Sequence, residues 1–119
     1  MASIEDLMTR NVTEVFDERD PAHRRTAIEA IYADDAGIHA AEGSARGWDG
    51  VEAVVRGVLA DAEGLHFSVS ADPSVVADLG RLTWELAPEG GPPVVRGTDV
   101  VIVRDGRIAQ LYTFIEPPS

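Results

Sequence analysis

Apolar residues recur at three- and four-residue spacing through the first half of the chain and then alternate with polar ones through the second. Ser3 supplies a capping hydroxyl ahead of Glu5 and Asp6, and Ile4, Leu7, Met8, Val12, Val15 and Phe16 then fall on one side of a first amphipathic helix. Asp20-Pro21 pairs an N-cap with a proline at the first helical position, which predicts a second helix carrying Ile28, Ile31 and Tyr32 and stopping near Asp35-Ala36-Gly37. A short extended piece from Gly37 to Ala41 and a turn at Glu42-Gly43-Ser44 lead to a third helix from about Asp49. Its interior is Val51, Val54, Val55, Val58 and Leu59, and Gly64 stands where a C-terminal glycine cap belongs.

From Leu65 the period changes to two. Strands are predicted over Leu65 to Ala71, Val75 to Leu79, Arg81 to Ala87, Val94 to Val103 and Arg107 to Glu116. A turn falls at Asp72-Pro73, a break at Gly80, a Pro/Gly loop at 88–93 and a tight hairpin at Asp105-Gly106. Helices first and an antiparallel meander afterwards imply an α+β fold with three helices on one face of a curved, mostly antiparallel sheet. Both faces of the late strands are apolar: Val95, Val101 and Val103 oppose Val94, Val100 and Ile102, and Leu111 and Ile115 oppose Tyr112 and Phe114. Helices cover one face only, so the other is expected to pair with a second copy, burying roughly 1,200 Å² or more in a homodimer.

The length, 119 residues, fits one domain spanning 1–119, with a loose tail at 117–119. A formal charge of -11 argues against nucleic-acid and anionic-membrane partners. No apolar run is long enough for a membrane span and the first twenty residues are rich in charge, so a cytoplasmic location is expected. All ten basic residues are arginine and there is no cysteine, which excludes Schiff-base lysines, thiol nucleophiles and thiolate metal sites. No nucleophile elbow, P-loop, dinucleotide turn or paired-histidine zinc motif occurs, and His39 with Glu42 has no specific ligand spacing; neither cofactor nor metal is expected.

What remains are polar residues set into apolar stripes. Alternation places Asp99 on one face with Val95, Gly97, Val101 and Val103. Burial favours the neutral carboxylic acid, which can donate a hydrogen bond to a carbonyl or enolate oxygen; the alternative is an aspartate satisfied by backbone amides or an arginine. Asn11 lies on the inward stripe of the first helix with Ile4, Leu7, Met8 and Val15, and Tyr32 closes that of the second, each as a structural hydrogen bonder or a site residue. Trp84, alternating with Leu82 and Leu86, reads as core or pocket wall, and Trp48 as a hydrophobic staple. His66 shares a face with Ser68 and Ser70, opposite Phe67. His23, Asp17-Glu18 and Asp34-Asp35 read as surface groups.

Four segments, Ile31-Tyr32-Ala33-Asp34-Asp35-Ala36, Arg46-Gly47, Gly97-Thr98-Asp99-Val100-Val101 and Arg104-Asp105-Gly106-Arg107-Ile108, together resemble the nuclear transport factor 2-like superfamily in its SnoaL-like and ketosteroid-isomerase-like branch. The resemblance implies a cone of three helices and a bent sheet around an apolar cavity, usually in a dimer. It matches Asp99 to the aspartic acid that donates to the oxyanion in ketosteroid isomerases, a carboxylic acid kept neutral by its apolar surroundings. Tyr32 matches a supporting tyrosine of some members. The isomerase's base position falls on Ala40, its oxyanion tyrosine on Asn11 and a further pocket tyrosine on Val55, so steroid isomerisation by the usual arrangement is not expected. The Asp-Arg-Asp relay of limonene-epoxide hydrolases fails too, because Arg96 alternates away from Asp99.

The expectation is therefore a cofactor-independent enzyme of isomerase, cyclase or hydrolase type acting on a small apolar, carbonyl-bearing molecule by general acid-base catalysis. Asp99 and Tyr32 are its catalytic residues, and Asn11, Ala40, Val55, His66, Trp84 and Leu111 contact substrate. The alternatives are a non-catalytic binder of hydrophobic ligands and a dimeric scaffold whose cavity is filled by side chains.

Overall fold

The computed structural model describes residues 2–116; the tail expected at 117–119 lies outside the described residues. Ser3 caps α1 (Ile4–Arg10), its hydroxyl accepting from the Asp6 amide at 3.0 Å, and Leu7 and Met8 face inward. The helix continues past Arg10 as a π-helical segment, Asn11–Phe16, in which the Asp17 amide reaches five residues back to the Val12 carbonyl at 3.0 Å. Asn11, Val12 and Val15 are buried within it.

Asp20 caps α2 (Pro21–Ile31) as expected, accepting from the Ala22 amide at 2.9 Å. The helix ends sooner than its sequence suggests, because Tyr32 already belongs to β1 (Tyr32–Ala40) and sits opposite Ile108 in a parallel ladder. Asp34 and Asp35 thus occupy a strand rather than a helix end, exposed, with Asp35 2.7 Å from Arg104. A two-residue turn leads into β2 (Gly43–Arg46) and then α3 (Gly47–Ala60), which starts two residues early on a glycine at φ +78°. It ends at an Asp61 C-cap, so Gly64, also at φ +78°, shapes the following turn rather than the cap.

The remaining strands are β3 (Leu65–Val69), β4 (Ser74–Val76), β5 (Leu79–Pro88), β6 (Val95–Arg104) and β7 (Arg107–Glu116). The sheet runs β2-β1-β7-β6-β5-β3 with β4 also on β5; β1 with β7 is parallel and every other pair antiparallel. This is an α+β fold, three helices on a mixed, curved, unclosed sheet. Asp105 and Gly106, at φ 54° and 76°, form the expected turn between β6 and β7. Gly80 lies inside β5, not at a break, since a β-carbon there would stand 2.6 Å from Met8 Sδ and 2.7 Å from Ile4 Cγ2. Its lack of a side chain lets α1 settle on the strand.

The core fills the space between the helices and the inner sheet face, where Ile38, Leu82, Leu86, Val101 and Leu111 are buried. The outer face carries Val100 and Ile102, both half-buried, with Tyr112 and Phe114 exposed. No helix among the described residues is long and apolar enough to cross a membrane.

One buried charge holds the helical layer together. The Arg24 side chain, 4% exposed on α2, forks onto Glu52 of α3 at 2.8 to 3.3 Å and donates to the Glu18 carbonyl at 2.8 Å. Cutting Glu52 back strands a guanidinium away from water, so Glu52→Ala is expected to lower unfolding free energy by about 3 kcal/mol or more in urea titrations.

Candidate functional site

Asp99 stands at the centre of β6, opposite Leu82 on one side and Thr113 on the other, and is 6% exposed. Three adjacent strands converge on its carboxyl group. The Trp84 indole N–H of β5 donates to Oδ1 at 2.9 Å and the Thr113 hydroxyl of β7 donates to the same oxygen at 2.7 Å. The indole reaches it because Trp84 pairs with Gly97; a β-carbon on Gly97 would lie 2.1 Å from the Trp84 ring, so only glycine leaves it room.

Oδ2 has no partner among the described residues and opens toward a cavity. No guanidinium neutralises the group, and Arg96 is exposed on the opposite face, as alternation requires. Burial pushes the Asp99 carboxyl up to about 6, and the hydrogen bonds from Thr113 and Trp84 oppose that rise. Oδ1 already accepts twice, so the proton of the neutral form resides on Oδ2, aimed into the cavity.

That cavity measures about 70 Å³. Val12 and Phe16 of the π-helical segment form one wall and Val54 and Val58 of α3 another; Ile38 and Ala40 close it from β1, and Phe67, Trp84 and Ile115 from the sheet. Phe16 meets Phe67 edge-on with ring centroids 5.8 Å apart, and Phe67 meets Trp84 the same way at 5.3 Å. Only Asp99 and Glu42 are ionisable among its lining residues.

Of the residues singled out from sequence, Asp99, Ala40 and Trp84 line this cavity. Asn11, Tyr32, Val55 and Leu111 do not: all four are packed in the core behind the lining. The Tyr32 hydroxyl donates to Asn11 Oδ1, while Asn11 Nδ2 is buried without a partner. Tyr32 is raised well above its usual range, first by burial and then by the nearby Asp99 charge, against the Asn11 hydrogen bond. It is a neutral hydrogen bonder, placed there by β1 rather than by the second helix.

His66 stands apart from this cavity. The alternation of β3 turns Phe67 to the cavity and leaves His66 outside, exposed, with Nδ1 3.5 Å from Asp17. Asp17 in turn is no free surface acid, since its carboxylate accepts from the Phe67 amide at 2.9 Å. His39 is tied on the outer side between Ser44 and Gln110, each at 2.7 Å, and stacks on Tyr112. Trp48, beyond any staple role, donates its indole N–H to the Tyr32 carbonyl at 3.0 Å.

Thr113 was legible by the rule that found Asp99, a polar residue in the inward stripe of Leu111 and Ile115. Glu42 carries no such signal, because its approach to the cavity is set by the β1–β2 turn. Among the described residues no cluster of three or more metal-ligating side chains occurs.

The profile of the SnoaL-like domain family matches residues 9–111. No functionally curated protein matches the sequence. Several solved structures share the fold. A SnoaL-like family protein from Agrobacterium tumefaciens, described as a candidate isomerase, superposes with a TM-score of 0.86 at 22% identity over 93% of this chain and 95% of that one. A protein with a ketosteroid isomerase-like fold from Catenulispora acidiphila, solved with trimethylamine, gives 0.72 at 15% identity, covering 94% and 86%. A protein of unknown function from Exiguobacterium gives 0.73 at 19%, covering 94% and 99%.

The environment of Asp99 makes stability depend on pH in a defined direction. The unfolded carboxyl titrates near 3.8 and the folded one near 6, so folding takes up a proton between these values and stability falls as pH rises through that window. Asparagine keeps an oxygen for Trp84 and Thr113 but cannot ionise. Relative to Asp99→Asn, the wild type is expected to lose up to about 3 kcal/mol between pH 4 and pH 8, with the change confined below about pH 7, in paired urea titrations.

Proposed function

Because the chain belongs to the SnoaL-like domain family, we propose that it is a small-molecule enzyme that activates an apolar, carbonyl-bearing substrate by general acid-base catalysis in the cavity beneath Asp99. The observation that carries this reading is a buried carboxyl group with one oxygen doubly hydrogen-bonded and the other unpartnered and facing a cavity. Its neutral form presents an O–H to the substrate oxygen from a fixed position, in surroundings that strengthen the bond as negative charge develops there. Trp84 and Thr113 prevent the carboxyl from rotating, and Tyr32 and Asn11 pack the floor behind it. The apolar walls select the hydrocarbon body of the substrate. At about 70 Å³ the space is far below the roughly 300–1,000 Å³ of pockets for drug-sized ligands, which favours a substrate about the size of a single ring. No cofactor is required by this chemistry.

A second reading, ligand holding without turnover, draws support from alanine at position 40, where the ketosteroid isomerase-like pattern calls for a base. The two separate in one experiment. Wild-type protein in deuterated buffer is expected to speed deuterium uptake at the carbons flanking the carbonyl of cyclohex-3-enone, read by NMR, and Asp99→Asn to lose about 10²- to 10⁴-fold of that rate. Binding of the ketone without exchange above buffer would leave only the ligand-holding reading.

The same reading includes a homodimer through the outer sheet face, supported by Tyr112 and Phe114, 40% and 57% exposed there beside Val100 and Ile102. Sedimentation at micromolar concentration is expected to give twice the chain mass for the wild type and a monomer for Phe114→Arg.

A further inference from the structure

We propose that Glu42 is the proton-abstracting carboxylate of this cavity, doing from the β1–β2 turn what the alanine at position 40 cannot do. The inference rests on the acid-base reading of Asp99 and adds its missing partner.

Three placements support it. Among the described residues, Glu42 and Asp99 alone are ionisable in the cavity lining, so a base there would be one of them. Asp99 has Oδ1 occupied by Trp84 and Thr113 and only Oδ2 left for a substrate oxygen, a task that leaves proton abstraction to Glu42. Next, Ala40 pairs with Gly43, so that Ala41 and Glu42 alone form the turn, and Glu42 lies two residues beyond the alanine. Finally, Glu42 lines a second, open groove between this turn and α3 as well. Ala40, Val54 and Val58 are shared by both spaces, which therefore meet at Glu42. A residue at such a threshold can serve a bound molecule on one side and exchange with water on the other, as an acceptor that must later release its proton requires. The two carboxyl groups also have opposite surroundings: Asp99 is walled in and Glu42 is exposed.

In the step this implies, a C–H bond next to the carbonyl breaks as an O–H bond forms on Glu42. The electron pair moves into the enolate, whose oxygen takes the hydrogen bond from Asp99 Oδ2. Return of the proton from Glu42 to a different carbon of the same conjugated system restores both carboxyl groups and isomerises the substrate without any redox change.

The test pairs exchange with binding. Deuterium uptake into cyclohex-3-enone is measured alongside affinity for phenol, whose oxygen mimics that of an enolate and whose binding needs no proton abstraction. Glu42→Gln is expected to lower exchange about 10²- to 10⁴-fold while phenol affinity stays within about threefold or improves, and Glu42→Asp, with shorter reach, to retain an intermediate rate. Asp99→Asn should weaken both readouts. Exchange at the wild-type rate in a folded Glu42→Gln protein, with Asp99→Asn inactive, would overturn the role of Glu42 and leave that of Asp99 standing. A wild-type protein that binds phenol yet exchanges nothing would overturn both.

Discussion

The structure turns on one carboxyl group held by two strands that flank its own. Trp84 and Thr113 both donate to Asp99 Oδ1, and the indole can do so only because Gly97 has no side chain. Removing a carboxylate from water is costly, and two neutral donors on one oxygen offset only part of that cost. The consequence extends beyond Asp99. The same indole meets Phe67 edge-on, and Phe67 meets Phe16, so the aromatic wall of the cavity is anchored through Trp84 to the carboxyl it surrounds. Site and wall are therefore one mechanical unit.

At its far end this wall depends on the π-helical segment. Within it Val12 and Phe16 line the cavity while Asn11 bonds to Tyr32 and Val15 enters the core. Asp17 then latches the helix end to the Phe67 amide, joining helix and sheet where their aromatic rings meet. Interruption of an α-helix is a local loss, recovered by packing across the layer.

Most of this architecture was legible because burial writes a period into the chain. The alternation Leu82, Trp84, Leu86 and the valines around Asp99 named the inner face, and Asp105-Gly106 named its hairpin. Tyr32 misled because the residues after Ile31 fit a helix or a strand locally, and the parallel pairing of β1 with β7, far apart in sequence, decides between them. Val55 and Leu111 were correctly inward, yet inward means core or cavity lining, a distinction made by three elements meeting rather than by one. Arg24 illustrates the same limit: nothing around it in the chain foretells Glu52, 28 residues later.

Arg24 also sharpens the reading of Asp99. Where a buried charge serves only to join two helices, this chain supplies its counter-charge and doubles the hydrogen bonds. Nine further arginines were available to do the same for Asp99, and Arg96 on the same strand faces away. Close by in the fold lies Asn11 Nδ2, the one sealed side-chain polar atom without a partner among the described residues, on the amide that accepts from Tyr32. Unpaired polar groups of this kind cost on the order of 1–3 kcal/mol each, a sizeable part of the stability of so small a domain. Asp99 Oδ2 at the cavity and Asn11 Nδ2 in the core behind it are therefore costs that this chain, which neutralises the buried charge of Arg24, leaves standing in one region of the fold.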